Sequence, residues 1–354
     1  MKTYGFGIVG CGMISAFHAA GLAEVPNAKL VAVASRHEQN RRKLMDKYGC
    51  AGYADYREMV RRDDIDVVCV TTPSGAHLEP ALAAIEAGKH VIVEKPLEVT
   101  LDRCDEMIQA ADEHRVRLCG IFPYRFTRGA RILRKAVDEG RFGRLTLGDA
   151  YNKWWRTQAY YDSGDWRGTW KLDGGGATMN QGIHAVDLVQ WYMGGAEEVT
   201  ACTACLVHER IEVEDTAVAV IRYRNGAIGV IECATSVYPG LARKIEIHGD
   251  RGTVLMENEL FSRWEFAEPR EEDEEIRRLY SVPRDLKAEG VADPGAITHV
   301  NFREEFKEFL AALESGAELP ISGREARKAV EIVLAMYRSA RTGESVRLPM
   351  QPGR

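Results

Sequence analysis

The 354-residue sequence contains no apolar run approaching the ~20 residues that cross a bilayer, so no membrane span is expected. Basic residues are not in excess. Against 53 Asp and Glu there are 47 Lys and Arg, and the formal charge of −6 offers no field to hold nucleic acid. No signal peptide precedes the first strand pattern, since Met1-Lys2-Thr3-Tyr4-Gly5-Phe6 runs straight into it, and a cytoplasmic location is expected. No second CxxC completes a zinc site around Cys202-Thr203-Ala204-Cys205. That pair lies in an apparent strand, Val199 to Val207, where residues three apart point to opposite faces. The eight cysteines, at 11, 50, 69, 104, 119, 202, 205 and 233, are scattered, so reduced thiols and no metal are expected.

What is present is an ordinary globular composition, 45% hydrophobic, in a length that suits two domains. A strand pattern over residues 4–9 feeds Gly7-Ile8-Val9-Gly10-Cys11-Gly12-Met13-Ile14-Ser15, and a helix pattern continues to about Glu24. Strand, glycine turn and helix in that order form the setting of dinucleotide binding. Gly10 permits the tight turn. Gly12, leading into Met13 and Ile14, lets backbone N–H groups approach a pyrophosphate at the helix N-terminus. The third glycine of the usual fingerprint is lacking; Ser15 replaces it and is small enough to keep the helix near the strand.

The second strand, Leu30 to Ala34, also lacks the terminal carboxylate that binds the adenosine ribose in NAD-specific folds. Its end reads Ala34-Ser35-Arg36-His37, with no acid before Glu38. Ser35 can hydrogen-bond a phosphate and Arg36 can pair with one, which favours NADP(H). A solvated Arg36 stacking on adenine is compatible with NAD(H). Helices over 37–48 and 55–62 precede the strand Ile65 to Val70. Thr71-Thr72-Pro73-Ser74-Gly75-Ala76-His77 then opens a helix ending at Gly88, and Thr72 and Pro73 are expected to line the nicotinamide half of the cofactor. His77 either caps this turn, touches the cofactor or is structural.

Val91-Ile92-Val93-Glu94-Lys95-Pro96 is a β-branched strand stopped by a charged pair and a proline. Lys95 therefore sits at the carboxyl end of a strand, where open α/β sheets bind their ligands. A helix from Thr100 and a strand over Val116 to Ile121 follow. The fold class expected is α/β, with a doubly wound parallel Rossmann sheet over 1–122. Residues 123–354 read as an α+β substrate domain, with its C-terminal segment able to pack back on the first domain. After a helix at about 128–140, strands at 145–153, 197–207, 215–223, 227–235, 243–248 and 252–256 succeed one another, so a large, mainly antiparallel open sheet is expected. Asn225-Gly226 is a hairpin signal. Glu271 to Glu275 reads as a solvated loop or edge, Phe302, Phe306 and Phe309 as the core face of a helix, 324–340 as a terminal helix and Val346 to Leu348 as a last strand.

Gly174-Gly175-Gly176-Ala177-Thr178-Met179-Asn180-Gln181-Gly182-Ile183-His184-Ala185-Val186-Asp187 is the densest functional signal in this half. Its glycines allow a ligand or another backbone to come close. Asn180, His184 and Asp187 are spaced to share one helical face, with His184 the candidate acid–base group and Asn180 beside it. Trp154-Trp155-Arg156 and Trp166-Arg167-Gly168-Thr169-Trp170 interleave aromatics and arginines, which suits a polyhydroxylated ligand or a carboxylate, or else a loop packing its own aromatics. Arg167, Tyr124 and His299 are the further candidates for substrate contact.

Gly10-Cys11-Gly12, Thr72-Pro73 with His77, Glu94-Lys95-Pro96 and the Gly174 to Asp187 block together resemble the Gfo/Idh/MocA oxidoreductases, over essentially the whole chain. The resemblance implies a Rossmann domain, a C-terminal sheet domain, and dimers or tetramers joined through the open face of that sheet. It implies NAD(P)-dependent oxidation of a hydroxyl on a sugar, cyclitol or derivative, with Lys95 and His184 matching the family's lysine and proton-exchanging histidine. Glu94 is expected to bind near the cofactor and orient Lys95. Many members carry Asp where this chain has Asn180, and an amide cannot raise the proton affinity of His184 as a carboxylate would, so Asn180 is expected to orient substrate. The block Trp166 to Leu188 looks most like members acting on nucleotide-linked amino sugars or uronates. Two rival activities stay open: a glycoside hydrolase that retains its nicotinamide, and a silent cofactor-sensing regulator.

Overall fold

The β-branched runs at Val67–Val70 and His90–Val93 form parallel strands with both faces buried, as their composition requires. The computed structural model describes residues 2–283 and 298–350. Two compact units divide the chain, 1–126 with 298–327 and 127–297 with 328–354. The first opens with β1 (Tyr4–Val9), α1 (Met13–Ala23), β2 (Ala28–Ala34), α2 (Glu38–Tyr48), β3 (Ala51–Tyr53), α3 (Tyr56–Met59), β4 (Val67–Val70), α4 (Leu78–Glu86), β5 (His90–Val93), α5 (Leu101–Glu113) and β6 (Leu118–Gly120). The six strands are parallel in the order β3-β2-β1-β4-β5-β6. Strand order reverses between β1 and β4, so their carboxyl ends, Gly10 and Thr71, flank the crevice where such sheets take ligands. The edge strand β3 carries no β-branched residue; it forms by backbone pairing to β2 and was not visible in the pattern.

The second unit holds α6 (Arg128–Asp138), β7 (Leu145–Lys153), α7 (Gln158–Tyr161), α8 (Ile183–Met193), β8 (Ala196–Ala204), β9 (Thr216–Tyr223), β10 (Ile228–Ala234), β11 (Lys244–Gly249), β12 (Gly252–Glu257), β13 (Leu260–Phe266) and α9 (Glu271–Tyr280). The eight-stranded sheet, β13-β12-β11-β7-β10-β9-β8-β14, includes the short β14 (Val346–Arg347) and is antiparallel except for the β7–β10 pair. Alternation is cleanest in β9, where every second residue is buried. Ala150, Ile231, Ala219 and Ile221 are buried on one face, while Leu147, Val218, Val220 and Ile228 are exposed on the other. On the buried face α8 lies so close to β7 that a Cβ on Gly148 would be 2.5 Å from Met193 Cγ.

The acidic run at 271–275 is not a loop or edge but the first turn of α9. Its carboxylates complement the positive helix N-terminus, and Arg277 and Arg278 follow in the last turn. Asp273 is buried in that turn. It accepts hydrogen bonds from both terminal nitrogens of Arg141 at 2.7 Å and from Trp264 Nε1 at 2.7 Å. Burial alone would raise the Asp273 pKa, but these donors hold it well below the usual carboxylate range. Returning to the first unit, α10 (Val300–Ser315) lays Phe302 and Phe306 against α1 and β1, with the Phe306 ring 6.1 Å from that of Phe6. α11 (Gly323–Thr342) is shared in sequence by both units.

Candidate active site

In the first unit the glycine turn is shaped by contact with the end of β4. Gly10 has φ +96°, and a Cβ there would lie 2.7 Å from the Thr71 carbonyl carbon, so only glycine fits. Thr71 Oγ1 donates to the Gly10 carbonyl at 2.6 Å and locks the two strand ends together. Gly12 differs: a Cβ there would meet nothing within 4 Å. Packing does not demand this glycine. It leaves open space over the N-terminus of α1, whose N–H groups can receive an anion such as a pyrophosphate. Met13 is 52% exposed beside that space, and Ser15, buried, donates to the Gly12 carbonyl at 2.6 Å. At the end of β2, Arg36 is exposed, Ser35 Oγ accepts from the His37 N–H at 3.2 Å, and Arg41 donates to the Ser35 carbonyl at 2.5 Å. These residues fit a dinucleotide.

Lys95 lies two residues past β5, half-buried, and the Lys95–Pro96 peptide is cis. Glu94 is buried beside it. One of its oxygens is 2.7 Å from His18 Nε2, on the buried side of α1, and the other accepts the Lys95 backbone N–H at 3.1 Å. Glu94 thus ties Lys95's backbone to the helix that starts at the glycine turn. His18 was not foreseen, because a histidine in an apolar helix carries no local mark of its partner 76 residues on. His77 has 0% exposure and both ring nitrogens against backbone carbonyls, Nδ1 2.9 Å from Pro96 O and Nε2 3.0 Å from Thr72 O. It braces the two turns from inside rather than touching a cofactor, and burial lowers its pKa. Thr72 Oγ1 donates to Ala76 O at 2.7 Å, while Tyr124 is half-buried in a 3₁₀ turn over Pro123–Phe126.

His299 requires correction as a substrate contact. Its Nε2 is 2.7 Å from Glu24 at the carboxyl end of α1, the end opposite the glycine turn, and Arg303 binds the other Glu24 oxygen at 2.7 Å. An ion-pair cluster, not a ligand site, explains its position before α10.

In the second unit, the glycine–histidine block folds as a π-helical turn over Ala177–Gly182 running into α8. Such insertions are concentrated at functional sites. Asn180 and His184, four residues apart, share a face in either helical form, and Asp187 is buried one turn on. Close packing explains the glycines: a Cβ on Gly182 would lie 2.3 Å from Cys233 Sγ, and one on Gly176 1.7 Å from the Glu214 carbonyl oxygen. Glu214, buried, anchors the turn. It accepts from Gly176 N at 2.9 Å, Thr178 N at 2.8 Å and the Tyr337 hydroxyl at 3.0 Å. Burial still pushes its pKa up against these donors.

Asn180 Nδ2 donates to the buried Asp173. Tyr160 collects Arg156, Arg167 and Gln181 around one ring. Its hydroxyl accepts from Arg167 at 2.8 Å and from Gln181 at 2.9 Å, and the guanidinium carbons of Arg167 and Arg156 lie 4.3 and 5.4 Å from the ring centre. Burial lowers the pKa of Arg156. His208 fixes the same stretch, with Nε2 2.8 Å from the Arg156 carbonyl and Nδ1 3.0 Å from Asp215. Asp173, Glu214, Tyr160 and His208 escaped sequence reasoning, since each acts through partners distant in the chain. All eight cysteines are free thiols, with only Cys202 and Cys205 exposed. On the exposed sheet face Asp149, Glu246 and His248 bring ligand atoms within 4.8 Å of one another, but Lys244 already pairs with Glu246 at 2.7 Å.

Comparison with known proteins assigns each half separately. Residues 4–121 match the model of the oxidoreductase family with an NAD-binding Rossmann fold, and residues 130–255 match the GFO/IDH/MocA C-terminal domain. The chain is 29% identical to the myo-inositol 2-dehydrogenase of Thermotoga maritima, over 97% of this chain and 98% of that one. It is 25% identical to the inositol 2-dehydrogenase of Rhizobium meliloti, over 95% and 97%. Among solved structures it is similar to the WlbA dehydrogenase of Bordetella pertussis in complex with NADH and UDP-GlcNAcA. That match has 33% identity, a TM-score of 0.88, and coverage of 99% of this chain and 100% of that one.

Proposed function

The chain belongs to the GFO/IDH/MocA oxidoreductase family, and on that premise we propose that it is an NAD(P)-dependent dehydrogenase of a secondary hydroxyl on a sugar or cyclitol derivative. The observation that carries this reading is the Gly10–Gly12 cradle at the switch point, with Lys95 beyond the neighbouring strand end. The nicotinamide, when bound, supplies the hydride acceptor. His184 takes the hydroxyl proton, because imidazole exchanges protons near neutral pH. Lys95 donates a hydrogen bond to the same oxygen and stabilises its developing negative charge, and Glu94 fixes the lysine's backbone from behind.

Arg156 and Arg167 beside the Tyr160 ring favour a substrate with an acidic group, and a nucleotide-linked amino-sugar uronate fits that chemistry. The UDP-GlcNAcA of the Bordetella pertussis structure is the relative's ligand that supports this choice. Ser35 and Arg36, without a carboxylate at the end of β2, favour NADP(H) over NAD(H). The exposed apolar stripe of Leu147, Val218, Val220 and Ile228 supports assembly into a homodimer or homotetramer through the open sheet face.

The test is a panel of sugars, cyclitols and nucleotide sugars, neutral and acidic, run with NAD and with NADP while following absorbance of the reduced cofactor. Turnover of at least one acidic sugar is expected, and Lys95→Ala and His184→Ala should each lower it at least ~100-fold, the low end for groups of this kind, with cofactor affinity retained. Full activity in either variant rejects the assignment of that residue, and no turnover across the panel rejects the function.

A further inference from the structure

We propose that His18 is a positioning residue for Lys95, acting through the buried carboxylate of Glu94. This rests on the reading of Lys95 as the group that steadies the reacting oxygen. The sheet does not support the lysine's backbone. β5 ends at Val93, and the Glu94 N–H still reaches the Val70 carbonyl at 3.0 Å. The Lys95 N–H lies one residue further on, and the Glu94 side chain folds back to accept it at 3.1 Å. Pro96 has no N–H to offer. The lysine is therefore held only as well as Glu94 is. Glu94 is 5% exposed, and a carboxylate so buried is sustained by the donors directed at it. With one oxygen on the Lys95 N–H, the other lies 2.7 Å from His18 Nε2.

The surroundings of His18 give that contact a direction. The ring is 0% exposed on the inner side of α1, against the rings of Phe302 and Phe306, 5.1 and 5.5 Å away between centres. Its Nδ1 is buried with no hydrogen-bond partner among the described residues. A neutral imidazole carries one N–H, and an N–H at Nδ1 would have no acceptor, so the tautomer that fits carries its proton on Nε2 and donates it to Glu94. An apolar side chain would fill the same space without leaving a nitrogen idle. What the imidazole adds is the one N–H aimed at Glu94. On the other side of the turn, His77 Nδ1 lies 2.9 Å from the Pro96 carbonyl. The backbone on both sides of Lys95 is thus clamped from within, and neither ring is open to a ligand. Any effect of His18 on the reaction has to pass through the residues it holds.

The test uses purified full-length protein and a substrate found in the panel. His18→Leu fills the space without the N–H. It should lower kcat about 10-fold or more, the scale of a small displacement of a reacting group, while NAD(P)H affinity stays within about 3-fold. His18→Gln sets an amide N–H near the place of Nε2 and should recover kcat to within about 3-fold of wild type. In a Glu94→Ala background the intermediary is gone, so H18L should lower kcat by less than about 2-fold more, whereas a packing residue would add its full effect. Acetylation of Lys95, read by peptide mass spectrometry against the exposed Lys135, follows the lysine without turnover. H18L should change that ratio about 3-fold or more, and H18Q should not. If H18L does not fold, His18→Asn, whose amide stops short of Glu94, takes its place and must show the same losses. Unchanged kcat or unchanged Lys95 labelling in H18L, an H18Q as slow as H18L, or additive losses in the double variant overturns the proposal. A wild type that turns over nothing in the panel, with Lys95 labelling still dependent on His18, would instead overturn the function proposed above and leave the positioning of Lys95 standing.

Discussion

Replacing Glu214 by glutamine should damage both the stability of the second unit and the reaction. Three donors converge on this carboxylate: Gly176 N and Thr178 N from the π turn, and the Tyr337 hydroxyl from α11. Glutamine offers one oxygen and one NH₂ group. If its oxygen serves Thr178 and Tyr337, its NH₂ meets the Gly176 N–H donor to donor; the flipped amide fails at the other two. At least one buried donor is left unpaired, at about 1–3 kcal/mol, and the remaining bonds lose their charged acceptor, so the total cost is about 2–4 kcal/mol. Spread over a chain of this size, that lowers the melting temperature on the order of 5 °C. The same turn carries Asn180 into α8 and His184, so kcat should fall by about 10-fold even well below the melting transition. Differential scanning calorimetry and steady-state kinetics on Glu214→Gln, with Tyr337→Phe as the milder loss of one hydroxyl, make the measurement. A melting temperature within about 1 °C of wild type, where the loss of even one buried bond should register, together with unchanged kcat would refute the anchoring role.

Gly10→Ala should weaken NAD(P)H binding at least ~10-fold in a fluorescence titration, because the added methyl meets the Thr71 backbone and forces a positive φ on alanine; unchanged affinity would contradict the cradle. The His208–Asp215 pair gives a pH signature. Burial opposes a charged His208, but its bonds to Asp215 and the Arg156 carbonyl outweigh it and raise the pKa, while the His208 and backbone donors hold Asp215 low despite burial. A raised histidine stabilises fully below its unfolded value, about pH 6.5, and loses this as pH climbs through the folded value. A depressed aspartate stabilises above about pH 4 and loses this as pH falls further. The melting-temperature gap between wild type and His208→Gln should therefore be widest at about pH 4–6.5 and narrow in alkali, and a gap constant to pH 9 would refute the pairing. On the proposed assembly through the open sheet face, wild type should elute as an oligomer and Val220→Glu should shift toward monomer in light scattering after gel filtration; an unchanged mass would refute assembly through that face.

The parts of the fold that local chemistry specifies were legible in the sequence. β4 and β5 stand out as β-branched runs, and Gly10 is marked by its turn; Lys95 is placed by the proline that ends its strand. What escaped depends on partners far away in the chain. β3 exists because β2 offers a free edge, and α9 because Asp273 finds Arg141 across 132 residues. His299 looked available because Glu24 is 275 residues away. The π turn illustrates the same limit, since its glycines signal close approach but not that Cys233 and Glu214 are what approach.

Hydride transfer itself gives the sharpest test of the proposed chemistry. A substrate identified in the panel, deuterated at the carbinol carbon, should pass its deuterium to the nicotinamide, and mass spectrometry should find labelled NAD(P)H free in solution in proportion to ketone formed. Consumption of the substrate by cleavage of a glycosidic bond, with no labelled cofactor released, would contradict the account and point to a hydrolase that retains its nicotinamide.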